Sequence, residues 1–171
     1  MPVLHAGVFR RLAAALYDGL LVTAVLFLVT GLLLVTTRGE AITHERVGAW
    51  AYAYQAVLAL LVAGYFGFAW TARGQTLGMK AWGIRLETAA GTLPGWPAVL
   101  LRLACATPLY LPPLGAALLL MAHRAGWVVV VASLLPLAAS LGAQAFAGQG
   151  TLHDRLSRTR VVLDAPATPA G

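Results

Sequence analysis

Acidic side chains are scarce. The 171 residues hold six Asp and Glu against twelve Lys and Arg, and charged residues make up 11% of the chain. Soluble domains carry about a quarter charged residues, so an ordinary water-facing surface is excluded. Cysteine is rarer still. One residue, Cys105, rules out an intramolecular disulfide and a cysteine-based metal cluster. Lying in an apolar run, it reads as a small buried hydrophobe. Histidine is thinly spread: His5, His44 and His123 fall in separate termini and loops, and His153 has no second ligand at metal spacing. No nucleophile elbow or paired catalytic carboxylates are visible. The glycines of GQTLGMKAWG (Gly74, Gly78, Gly83) lack the phosphate-loop spacing and follow an apolar helix, not a strand. They read as sites of close backbone approach. The expectation is a protein that is not an enzyme and carries no metal and no cofactor.

What the chain has in abundance is apolar length. Hydrophobic residues make up 60% and the mean hydropathy is +0.78, which places it among integral membrane proteins. Four segments approach the roughly 20 residues needed to cross about 30 Å of hydrocarbon: about 12–35, 49–70, 99–122 and 127–146. The expected class is therefore an all-α membrane protein with four transmembrane helices. The first run, about 24 residues long, exceeds the roughly 7–15 residues of a signal-peptide core and is expected to be retained. The third contains Arg102, Pro108, Pro112 and Pro113, which leave it open to being broken or partly re-entrant.

The net charge of +6 fits basic loops that orient helices and touch anionic lipid. No basic surface domain remains to hold nucleic acid. With the N-terminus inside, nine basic residues fall on the cytoplasmic side: Arg10, Arg11, Arg73, Lys80, Arg85, Arg102, Arg155, Arg158 and Arg160. Arg38, Arg46 and Arg124 fall outside, so both termini are expected in the cytoplasm. The Pro- and Ala-rich segment 164–171 has nothing to bury and is expected to be disordered.

The halves echo each other. A shift of 75 residues aligns Thr76-Leu77 with Thr151-Leu152, Lys80 with Arg155 and Arg85 with Arg160, while Arg11-Leu12-Ala13 resembles Arg102-Leu103-Ala104. Two parallel two-helix repeats are one explanation, and chance similarity in apolar sequence is the other. In each half a short interfacial helix (76–82, 151–157) precedes an extended piece (84–88, 159–163), and the two extended pieces are expected to pair as a small sheet.

The most informative residue is Asp18, about seven residues into the first span and so about 10 Å deep. A carboxylate at the bilayer centre costs about 2.5–3.5 kcal/mol. Asp18 therefore either locks helices together through a basic partner or binds a cation or proton. Arg11 shares its helix face but stands two turns away, out of direct reach. Arg102 is the first expected partner, followed by Lys80 and Arg85. Asp154, in TLHDRLSRTRVV, is expected to pair with a nearby arginine, Arg155, Arg158 or Arg160.

An Arg opening the first helix, an Asp inside it, the GQTLG-K-G-R-L loop and the closing T-L-H-D-R…T-R-V-V together resemble the RDD family of small bacterial membrane proteins. The resemblance covers about residues 8–163. Carried over, the family's charged triplet is Arg11, Asp18 and Asp154, and its loop falls on Gly74, Gln75, Thr76, Gly78, Lys80, Gly83 and Arg85. Met79 departs from the pattern, which has Lys directly after the glycine. The resemblance implies an inner-membrane location and favours transport of a small solute or cation, in one version an antiporter-like exchange for protons. Asp18 would bind the ion, Asp154 would gate, and Arg11 and Arg102 would tune both. Four helices enclose little volume, so a homo-oligomer is expected, with Ala63, Gly64 and Gly67 available for helix packing. The alternative is a non-transporting scaffold or accessory subunit with a structural Arg/Asp lock.

Overall fold

The computed structural model describes residues 6–40, 42–121, 123, 126–147 and 151–164. Of the expected disordered tail, 164–171, only Asp164 is among them, and His5 and Arg124 also lie outside. Four long helices are present: α1 (Val8–Thr36), α3 (Trp50–Arg73), α5 (Trp96–Met121) and α6 (Trp127–Ala147). Short α2 (His44–Val47) joins the first pair. Among the described residues, α1, α3 and α5 are long and apolar enough to cross a membrane, and α6 carries a shorter apolar stretch, Trp127–Gly142. Their apolar side chains face outward: Val35 is 78% exposed, Leu60 70% and Val128 80%. In water such a surface would be untenable; in lipid it is the expected exterior.

Helix α5 runs unbroken through Pro108, Pro112 and Pro113. Each proline removes one bond to the carbonyl four residues earlier, and the remaining bonds carry the helix through. The third segment is thus one continuous helix and not a broken one. Cys105, on this helix, is half-buried instead of buried.

After each pair of long helices comes one of two matching units. In the first, Gly74 ends α3 in the left-handed region (φ 68°), and Thr76 caps α4 (Leu77–Ala81), its hydroxyl accepting the Met79 N–H. Strand β1 (Ile84–Thr88) follows. In the second, Thr151 precedes α7 (Leu152–Leu156), followed by β2 (Thr159–Leu163). The strands pair antiparallel with Ile84 opposite Leu163, Leu86 opposite Val161 and Thr88 opposite Thr159. The bounds of α4 and β1 coincide with those of α7 and β2 under the same shift of 75 residues. Leu86 and Val161, equivalent under that shift, sit directly opposite each other, so a local two-fold axis passes through this pair.

The buried apolar core also gathers at this end. Trp70, Met79, Ile84, Leu86, Val99 and Val161 form one cluster, joined by Phe66, Trp82 and Leu103. The sheet is marginal alone; here it closes the base of the helices and is packed from α3, α4 and α5.

Candidate functional site: two aspartates with different partners

Asp154 is the N3 residue of α7. One carboxylate oxygen, Oδ2, accepts the backbone N–H of Thr151 at 3.1 Å, the acidic half of a capping box. The same oxygen accepts Arg11 Nη1 from α1, and Oδ1 accepts Arg102 Nη1 from α5. The carboxylate is 2% exposed, and the two arginine side chains are 9% and 7% exposed. Arg11 also donates Nε to the Ala6 carbonyl and Nη2 to the Val161 carbonyl, both at 3.2 Å. Arg102 donates to Thr159 Oγ1 at 2.9 Å and lies over the Trp70 ring, 5.4 Å from its centroid. One carboxylate thus ties together α1, α5, α7 and, through its arginines, β2.

Burial alone would raise the Asp154 pKa. The Arg102 and Arg11 guanidiniums outweigh it and hold the carboxyl well below the usual carboxylate range. Its neighbour His153 responds in the opposite sense. Burial, reinforced by Arg102, pushes the imidazole down to about 4 against the pull of Asp154. An unfolded chain protonates His153 near 6.5, whereas the folded protein does so only near 4. Acidification between those values therefore favours the unfolded state, by up to roughly 3 kcal/mol. Stability measured by denaturant unfolding is expected to fall as pH drops from 7 to 4, and His153→Phe is expected to flatten that slope.

Asp18 sits elsewhere. Only 3% exposed, it accepts Tyr65 Oη and the Gly78 N–H on Oδ1, each at 2.8 Å, and the Thr76 hydroxyl on Oδ2. The donors are oriented by their own acceptor bonds. Tyr65 Oη receives the Leu77 N–H at 3.3 Å and Thr76 Oγ1 receives the Met79 N–H at 3.1 Å, so both hydroxyl hydrogens turn to the carboxylate. Gly78 permits the approach. A Cβ there would stand 2.3 Å from the Ala14 carbonyl oxygen and 2.8 Å from Asp18 Cγ. Asp18 therefore docks α4 against α1, with Tyr65 bringing α3 into the contact.

The family's charged triplet is thus split, Arg11 with Asp154 and Asp18 apart. Among the described residues Asp18 makes no ion pair, so the expected partners are corrected. Arg102 enters α5 where that helix lies against α7 and β2, within reach of Asp154. Lys80 points out from α4. Arg85 engages Glu87 at 3.1 Å. Asp154 does pair with arginines, but not with those beside it in sequence. Arg155 and Arg158 are exposed and Arg160 turns to Glu87. Gln75 donates to the Ile84 carbonyl at 3.1 Å and to Asp164 at 2.8 Å. Met79 is buried against Trp70, whose Nε1–H donates to its Sδ at 3.3 Å, which explains a thioether where a lysine was expected. Gly67, expected to serve packing between copies, faces the Trp96 ring of its own chain, where a Cβ would stand 2.5 Å from the ring.

The model of the RDD family matches residues 5–158, most of the chain. The chain belongs to the RDD family. With its apolar helices, this identifies an integral membrane protein that passes the bilayer more than once. No curated protein and no solved structure matches the chain.

Residue spacing overlooked three members of the RDD site. Tyr65 and Trp70 lie in an apolar helix, where nothing in their spacing marks them as partners of a charged group. Glu87 is 5% exposed and pairs with Arg160 across the sheet and with Arg85 on its own strand. Its place opposite Arg160 follows from pairing Leu86 with Val161.

Proposed function

We propose that this RDD protein is a scaffold or accessory subunit of the bacterial inner membrane, with its termini and sheet in the cytoplasm and Arg11–Asp154–Arg102 as a structural lock. The observation that carries the reading is the sharing of one buried carboxylate by arginines of two long helices. Crowding of basic residues at the sheet end supports the orientation. Four spanning helices in two parallel repeats accord with the matched bounds of α4–β1 and α7–β2.

A second reading is transport of a small cation or solute coupled to protons. It draws on Asp18, a buried carboxylate held by neutral donors and by no cation among the described residues. The cavity beside it, lined by Leu21, Val22, Val25, Leu26, Leu61, Val62 and Tyr65, is apolar, about 60 Å³, and offers an ion no ligands beyond the Tyr65 hydroxyl. A pathway would need a second copy of the chain.

Asp18→Asn separates the two. In liposomes, the lock reading expects neither parent nor variant to move protons, sodium or potassium above empty vesicles. Flux in the parent that disappears in folded Asp18→Asn would replace the lock with the carrier.

A further inference from the structure

At the sheet end three acids are buried and occupied, while five bases are turned outward. Asp154 is shared by two arginines and Glu87 by two more. Asp18 is buried, and Asp164, the exposed acid here, is held by Gln75. By contrast Arg10, Arg73, Lys80, Arg155 and Arg158 are exposed, and none makes an ion pair among the described residues. Arg10 is anchored by a hydrogen bond to the Trp82 carbonyl at 3.4 Å. Large apolar side chains project beside them: Phe9 is 73% exposed, Leu77 52%, Trp96 50% and Leu156 52%. The matching helices contribute alike, Lys80 with Leu77 on α4 and Arg155 with Leu156 on α7.

We propose that this end of the protein is a docking surface for anionic phospholipid headgroups, with α4 and α7 lying at the headgroup level. Cations beside exposed aliphatic and aromatic side chains match a phosphate-bearing surface over an acyl layer. The folding of the acids is what leaves the field uncompensated, because each paired acid is shared and cancels only one of its two arginines. Each basic residue near an anionic surface contributes about 1 kcal/mol, roughly a fivefold change in partition.

The test uses the full chain in mixed micelles, with binding of phosphatidylglycerol and phosphatidylcholine measured by native mass spectrometry. Phosphatidylglycerol is expected to be retained at least tenfold more strongly at low salt, with the preference shrinking as salt rises. Lys80→Gln/Arg155→Gln is expected to cut the preference at least fivefold, with the thermal midpoint in phosphatidylcholine unchanged, because neither side chain belongs to the lock. Arg10→Gln/Arg73→Gln, at the ends of different helices, is expected to lower it similarly. Equal retention of the two lipids, or full preference in both double variants, overturns the proposal. So does saturable binding of an RNA oligonucleotide with no lipid preference, which would assign the basic surface to nucleic acid.

Discussion

Replacing Asp154 by Asn is expected to cost about 3–5 kcal/mol, the range for breaking a buried ion pair from one side. The amide has nearly the same shape, so the loss is electrostatic: two guanidiniums stay buried with no counter-charge. Arg11 would keep its carbonyl acceptors at Ala6 and Val161, and Arg102 would keep Thr159 and the Trp70 face. Sheet and α7 are therefore expected to loosen while α1 and α3 stay helical. Denaturant unfolding in detergent, followed by tryptophan fluorescence, checks the magnitude. Replacing the whole cluster, as Arg11→Met/Arg102→Met/Asp154→Leu, is expected to restore much of the loss, because no uncompensated charge remains. In the parent the lock should hold through neutral and mildly acidic pH. The Asp154 carboxyl is depressed, so its contribution is present above the ordinary carboxylate range and is lost only as pH falls towards the folded value.

Gly78→Ala is expected to be the most damaging Gly→Ala change among the described glycines. The added carbon would lie 2.3 Å from the Ala14 carbonyl oxygen, which is backbone of α1, and 2.8 Å from the Asp18 carboxylate. Neither can yield without moving α4. Overpacking alone costs about 1–3 kcal/mol. Displacing α4 also strips Asp18 of the Gly78 and Thr76 donors and leaves a buried carboxylate under-satisfied, at about 1–3 kcal/mol more. A fall of roughly 3 kcal/mol in unfolding free energy is expected. Gly64→Ala serves as control, since nothing lies within 4 Å of the added carbon, and it should change stability by less than about 0.5 kcal/mol.

Much of the fold was legible because apolar length and periodicity are local. The four long helices begin and end within a few residues of where hydropathy puts them, and the β-branched residues at 84–88 and 159–163 do form one sheet. Pairing across the molecule is not local. Which carboxylate Arg102 meets depends on how α5 lies against α7, and nothing in the spacing of the first span encodes it. Depth was a misleading guide: Asp18 looked in need of a cation because lipid was its assumed surroundings. In the folded protein α4 covers it and supplies a backbone N–H and a hydroxyl. The family's triplet names three residues without saying which pair. Its second aspartate turns out to belong with Arg11 and with Arg102, which lies outside the triplet. Gly78 was readable as a close-approach site from sequence, and the contact with Ala14 gives it a partner.

The central claim is that Arg102 is bound to Asp154 and not to Asp18. Two double-mutant cycles sharing Arg102→Met, one with Asp154→Asn and one with Asp18→Asn, measure it directly through unfolding free energies in detergent. A coupling of at least about 2 kcal/mol between Arg102 and Asp154, with less than about 0.5 kcal/mol between Arg102 and Asp18, is the predicted result. Coupling of Arg102 to Asp18 with none to Asp154 would contradict it.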